Sequence, residues 1–133
     1  MGTKFLYVFY DYVDLRDNNV IQLWLKDEAK EAMAKFTMRL AHLACTPIGE
    51  WNPNYATMLT GQCQGLFEIA VRKQRVRYRI LGFHGTERSE VTLLSGFKKK
   101  SKEVPVSECE KAFSHKNEVE KNPSERRVEH AFH

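Results

Sequence analysis

The sequence predicts an α+β protein in which a small antiparallel sheet, an N-terminal strand plus a three-strand meander, carries an N-terminal helical unit and a C-terminal helix on one face. Two observations lead there. The apolar period is that of a strand at the start, of a helix from Val20 to Ala44, and of strands again from Leu66 to Phe97. Between Arg72 and Lys102, ten basic residues stand against only Glu87 and Glu90, a net of +8 in a chain whose net charge is +4. The positive charge therefore lies on one strand-rich stretch, which suits an anionic partner.

Lys4–Val13 is aromatic and β-branched without Gly or Pro, and both of its alternating faces are apolar, as in an inner strand. Asp14–Asn19 is a polar connector. Asn19 can cap the next helix, with Gln22 in the reciprocal position of a capping box. From Val20 to Ala44, Leu25, Ala29, Ala32, Met33, Phe36, Leu40 and Leu43 form an apolar stripe, and charges including Lys35 and Arg39 fill the remaining surface. One helix and two helices meeting near Lys26–Asp27 fit equally. His42 falls outside the stripe and is given no role. Pro47 and Gly49 end the helical pattern, and Trp51–Leu59 is a loop around Asn52-Pro53-Asn54 with Trp51 and Tyr55 as packing anchors.

Gly61 and Gly65 bracket a turn before three strands, Leu66–Arg72, Arg75–His84 and Glu90–Phe97. Lys73-Gln74 is the expected tight turn, and Gly85 lies in a looser one. Pro105 suits the first turn of a closing helix on which Val106, Cys109 and Phe113 align, and Asn122-Pro123 breaks it. Residues 1–120 then form the folded domain, and 121–133 a charged tail expected to be disordered.

Several classes are disfavoured. The opening apolar run is interrupted by Asp11 and is too short to span a bilayer, and Leu6 stands where a myristoylation signal needs Ser or Thr. Cys45, Cys63 and Cys109 are odd in number and widely spaced, which argues against a disulfide, against a cysteine zinc site, and for a reducing cytoplasm. His130 and His133 are too few for a metal site, so neither metal nor cofactor is expected.

Within the basic stretch, Arg75, Arg77 and Arg79 alternate onto one face about 6.6 Å apart, near the spacing of successive phosphates, while Val76, Tyr78 and Ile80 point to the core. Alternation separates Lys98 and Lys100 from Lys99. His84 is the stretch's only histidine and has the pKa range for proton transfer. The plainer reading of these charges is a solvated sheet edge that resists aggregation, with His84 a turn residue and Glu68 a local counter-charge.

Four segments, GLFEI (Gly65–Ile69), YRILGFHG (Tyr78–Gly85), VTLLSGF (Val91–Phe97) and KKKS (Lys98–Ser101) ahead of Pro105, occur in an order that resembles the RelE/HigB/ParE superfamily of toxins from bacterial toxin–antitoxin pairs. The likeness is to its phage-derived HigB-like branch and runs from Asn19 to Phe113. It departs at Ala70, where the branch commonly has arginine, and at Val104, near the place of an acid/base tyrosine in RelE-like enzymes. The resemblance implies a cytoplasmic toxin that cuts mRNA on the ribosome without metal or cofactor. It also implies a small helix-turn-helix antitoxin as partner. Arg79, at the motif arginine, Arg77, His84 and Lys99 are the expected catalytic residues. Arg72, Lys73, Arg75, Arg88, Lys98, Lys100 and Lys102 would hold RNA. The alternative is a non-enzymatic toxin-like or nucleic-acid-binding protein that acts by binding a protein target or RNA.

Overall fold

A computed structural model of the chain describes residues 5–85, 89–99 and 103–132. Strand β1 (Val8–Tyr12) is followed by helices α1 (Val20–Asp27) and α2 (Met33–Ala44), joined by a 3₁₀ turn at Lys30–Ala32. Then come β2 (Ala56–Met58), β3 (Phe67–Lys73), β4 (Val76–His84), β5 (Glu90–Lys99), helix α3 (Val106–Lys121) and β6 (Arg127–Glu129). The class is α+β, with a six-stranded sheet in the order β2-β3-β4-β5-β1-β6.

The expected meander is β3–β4–β5, antiparallel throughout. The N-terminal strand is an inner one, as its two apolar faces predict, but it pairs parallel to β5, so the sheet is mixed rather than antiparallel. Pleat alternation is the same for either direction, so the side-chain pattern could not tell them apart. The tail is also corrected: β6 pairs antiparallel with β1, so Arg127–Glu129 extend the sheet. Buried His130 secures that end, its Nδ1 lying 2.7 Å from Asp11 Oδ1 and its backbone N–H donating to the Phe9 carbonyl.

Asn19 caps α1, its side chain accepting from the Gln22 N–H at 2.9 Å. The helical unit is two helices, broken just past Asp27. They bury Ile21, Leu25, Phe36 and Leu40 against Phe9, Ile69, Ile80 and Leu93 on one face of the sheet. Gly96 fixes the approach of α1, because a Cβ there would collide with the Trp24 indole.

The closing helix does not join that layer. α3 packs on the opposite face, where Leu81, Phe83, Leu94 and Phe97 meet Cys109 and Ala112. A register shift between Leu81 and Gly82 produces this second apolar patch: Leu81 pairs with Ser95 and Gly82 with Leu93, leaving Leu94 as the bulged residue. α3 is also bonded covalently, contrary to the sequence expectation, by a Cys63–Cys109 disulfide with Cα atoms 5.5 Å apart. The 46-residue separation was no obstacle, because the 3₁₀ turn at Gly61–Cys63 packs against α3. With it goes the cysteine argument for a reducing compartment. No helix among the described residues is long and apolar enough to cross a membrane.

Candidate functional site

The β3–β4 turn decides which basic residues share a face. Lys73 pairs with Val76, so the turn is Gln74-Arg75, one residue later than expected, with Gln74 at φ 57°. Arg75 is therefore exposed at the turn and does not alternate with Arg77 and Arg79. Directly opposed residues lie on the same side of a sheet, which resolves the rest into rows. Arg72, Arg77 and Lys99 form one row across β3, β4 and β5. Ala70, Arg79 and Phe97 form the next, and Glu68, Leu81 and Ser95 the third. This is the face that carries α3, beyond the part that α3 buries.

Like charges directly opposite one another destabilise a sheet. One carboxylate offsets part of that here. Glu68, which is 6% exposed, accepts from Arg79 Nη1 at 2.9 Å through Oε1, and its Oε2 lies 3.5 Å from Lys99 Nζ. The cations still outnumber it. Burial is the largest influence on Lys99 and lowers its pKa, an effect that nearby Arg79 and Arg77 reinforce and Glu68 opposes. Arg79 Nε is buried and has no hydrogen-bond acceptor among the described residues.

Arg77 and Arg79 form the wall between two clefts. One, of about 540 Å³, is bounded by Glu68, Lys99, Cys63 and, from the segment before α3, Glu103 and Val104. The other, of about 870 Å³, opens towards α2, and its described lining holds no carboxylate. It exists because β2 pairs with β3 only as far as Ile69, and after one more backbone bond, from the Ala70 N–H to the Tyr55 carbonyl, the β3 edge has no neighbouring strand. Helix α2 covers it with side chains: Arg39 Nη1 donates to the Ala70 carbonyl and Lys35 Nζ to the Arg72 carbonyl at 2.9 Å. Four residues along a helix rise about 6 Å and two along a strand about 6.6 Å, so the spacings match. The Arg39 guanidinium also lies 3.9 Å from the centre of the Tyr55 ring, which His42 meets edge-on.

Of the expected catalytic residues, Arg77, Arg79 and Lys99 come together and His84 does not. His84 is at the far end of β4, five residues or about 16 Å from Arg79, on the helix-covered face against Tyr7. Of the expected RNA-holding residues, Arg72 joins the site. Lys73 lies on the other face, as does Lys98, whose ammonium is 5.8 Å from the Tyr78 ring centre. Arg88, Lys100 and Lys102 lie outside the described residues. Tyr78 is core, as expected.

Residues 23–117 match the family model described as Phage derived protein Gp49-like (DUF891). The chain belongs to this family. No curated protein and no solved structure matches it. In this Gp49-like chain both departures from the toxin pattern fall at the site. Ala70 lies opposite Arg79 on the floor of the larger cleft, and Val104 lines the smaller one beside Lys99. Valine carries no titratable proton, so Val104 cannot act as an acid or a base in that cleft. Sequence reading passed over Lys35, Arg39 and Tyr55. The i, i+4 spacing of the first two was visible, but their target, a bare strand edge, was not.

Proposed function

We propose that this Gp49-like protein is the toxin of a toxin–antitoxin pair and a ribosome-dependent mRNA endonuclease. The motif resemblance to RelE/HigB-like toxins supports the class. The observation that carries the chemistry is the row of Arg72, Arg77 and Lys99 beside Arg79, an arrangement that a fold alone disfavours and a phosphate favours.

In this reading the 2′-hydroxyl of one nucleotide gives up its proton to solvent as its oxygen attacks the adjacent phosphorus, and the bond to the 5′-oxygen breaks to leave a 2′,3′-cyclic phosphate. Arg77 and Arg79 hold the non-bridging oxygens as negative charge builds on them. Glu68 keeps Arg79 in place, and the unused Arg79 Nε offers a further donor. Lys99, its pKa lowered by burial, hands a proton to the leaving 5′-oxygen. A cognate antitoxin with an acidic segment would neutralise the same row.

Induced expression should arrest growth, and purified protein should cut ribosome-bound message in single turnover. Arg79→Ala should abolish arrest while circular dichroism reports an intact fold. Full toxicity in folded Arg77→Ala and Arg79→Ala proteins would remove the arginine face from the mechanism. Arrest without cleavage would favour a protein that acts by binding alone.

A further inference from the structure

We propose that the larger cleft is a nucleobase subsite, in which one base of single-stranded RNA stacks on the Arg39–Tyr55 layer while its phosphate rests on Arg72 and Arg77. The proposal deepens the endonuclease reading and rests on it, since the two clefts share the Arg77–Arg79 wall.

The cleft has the two parts that binding of single strands needs, a cationic track for the backbone and a planar platform for the base. Arg72, Arg77 and Arg79 supply the first. For the second, Arg39 is half-buried and fixed at two points, by its bond to the Ala70 carbonyl and by the Tyr55 ring beneath it. Burial lowers its pKa, a shift that the Tyr55 ring against it opposes. A planar group held in one orientation loses little entropy when a base stacks on it. A volume of about 870 Å³ is within the usual range of small-molecule pockets, room enough for a nucleotide.

Charge and shape together select the occupant. An acidic peptide would satisfy the cations but has no use for a rigid guanidinium–phenol layer. A double helix would present its backbone and keep its bases stacked out of reach. Single-stranded RNA uses both parts. The smaller cleft, with Glu68 and Glu103 on its lining, is the poorer place for a base flanked by phosphates.

The test is binding of a short single-stranded RNA, read by fluorescence anisotropy, with an abasic nucleotide placed at each position in turn. Wild-type protein should lose about tenfold in affinity when the abasic nucleotide occupies one position and much less elsewhere. Arg39→Lys keeps the charge and can still reach the Ala70 carbonyl, but lacks the plane. It should bind intact RNA about tenfold more weakly and lose the abasic penalty. Tyr55→Leu should do the same, and Tyr55→Phe should behave as wild type. If the RNA binds and no position is sensitive, or if folded Arg39→Lys and Tyr55→Leu both retain the sensitivity, the subsite is refuted and the endonuclease reading stands. If the RNA fails to bind while poly-glutamate does, the cleft is a peptide site, and the subsite and the RNA reading fail together.

Discussion

Under α3 the sheet face is buried: Leu81, Phe83, Leu94 and Phe97 close against Cys109 and Ala112. A few residues along the same strands, Arg72, Arg77 and Lys99 stand abreast, with Glu68 between Arg79 and Lys99 offsetting part of their charge. The two ends share a backbone and an alternation, and differ in what lies over them. The covered end gains from burial of apolar surface. The open end gives up stability to like-charge repulsion, a loss that an anion would reverse. Stability and binding should therefore be separable along one set of strands.

Replacing the disulfide should have the largest effect, and it should fall on the covered end. Closing a loop of 46 residues is worth about 4 kcal/mol by chain entropy, so Cys109→Ser, which opens the disulfide from α3 and leaves Cys63 on the cleft lining in place, should melt roughly 15 °C lower. Non-reducing calorimetry checks this. RNA affinity should stay within about twofold of wild type at a temperature where the variant is folded, which sharpens the comparison; a collapse of affinity would break it.

Arg79→Ala should do the reverse, slowing single-turnover cleavage about 10²–10³-fold, as for loss of one donor to a developing anion, with a much smaller change in melting. Glu68→Gln should sit between. Removing the carboxylate leaves Arg79 and Lys99 without their shared partner, so RNA should bind more tightly and more salt-dependently while cleavage slows by about tenfold. Filter binding at two salt concentrations, beside the rate, separates these effects; weaker binding by Glu68→Gln would show that the carboxylate is not a brake on anion binding.

The smallest effect concerns His115, on α3 at the covered end. It stacks on Tyr12, and its Nδ1 lies 2.8 Å from the Leu94 carbonyl and so carries the proton of that bond. Burial lowers its pKa below 6.5, with Lys111 adding to the shift and Glu118 and Asp14 opposing it. Between the lowered value and 6.5 the unfolded chain binds more protons than the folded one. Stability should thus rise with pH through that window and be lost as pH falls through it. His115→Gln should flatten this acid-side slope in melts, by a few degrees, without touching the salt dependence of RNA binding.

Much of this was legible in residue order. Alternation from Arg77 to Ile80 predicted a cationic face backed by core, the period from Leu25 to Leu43 predicted the helical unit, and Asn19 announced its start. These are local properties, set by the 3.6- and 2-residue repeats and by one side chain reaching one backbone N–H.

Tertiary structure decided whatever depends on distant segments meeting. The direction of β1 beside β5, the use of the charged tail as β6, and the choice of face by α3 leave no mark on a strand's own pattern. One residue of turn position removed Arg75 from the row, and the length of β4 removed His84, because a seven-residue separation that is short in sequence is about 23 Å along an extended strand. Cys63 and Cys109 are remote until α3 folds back onto the turn before β3. Arg39 reads as one more charge on an amphipathic helix until β2 stops short and leaves the Ala70 carbonyl exposed to it. The sequence determined which residues carry charge and which are buried, since each follows from local alternation; only packing determined which charges meet, since that distance is set by chain paths that no local repeat encodes.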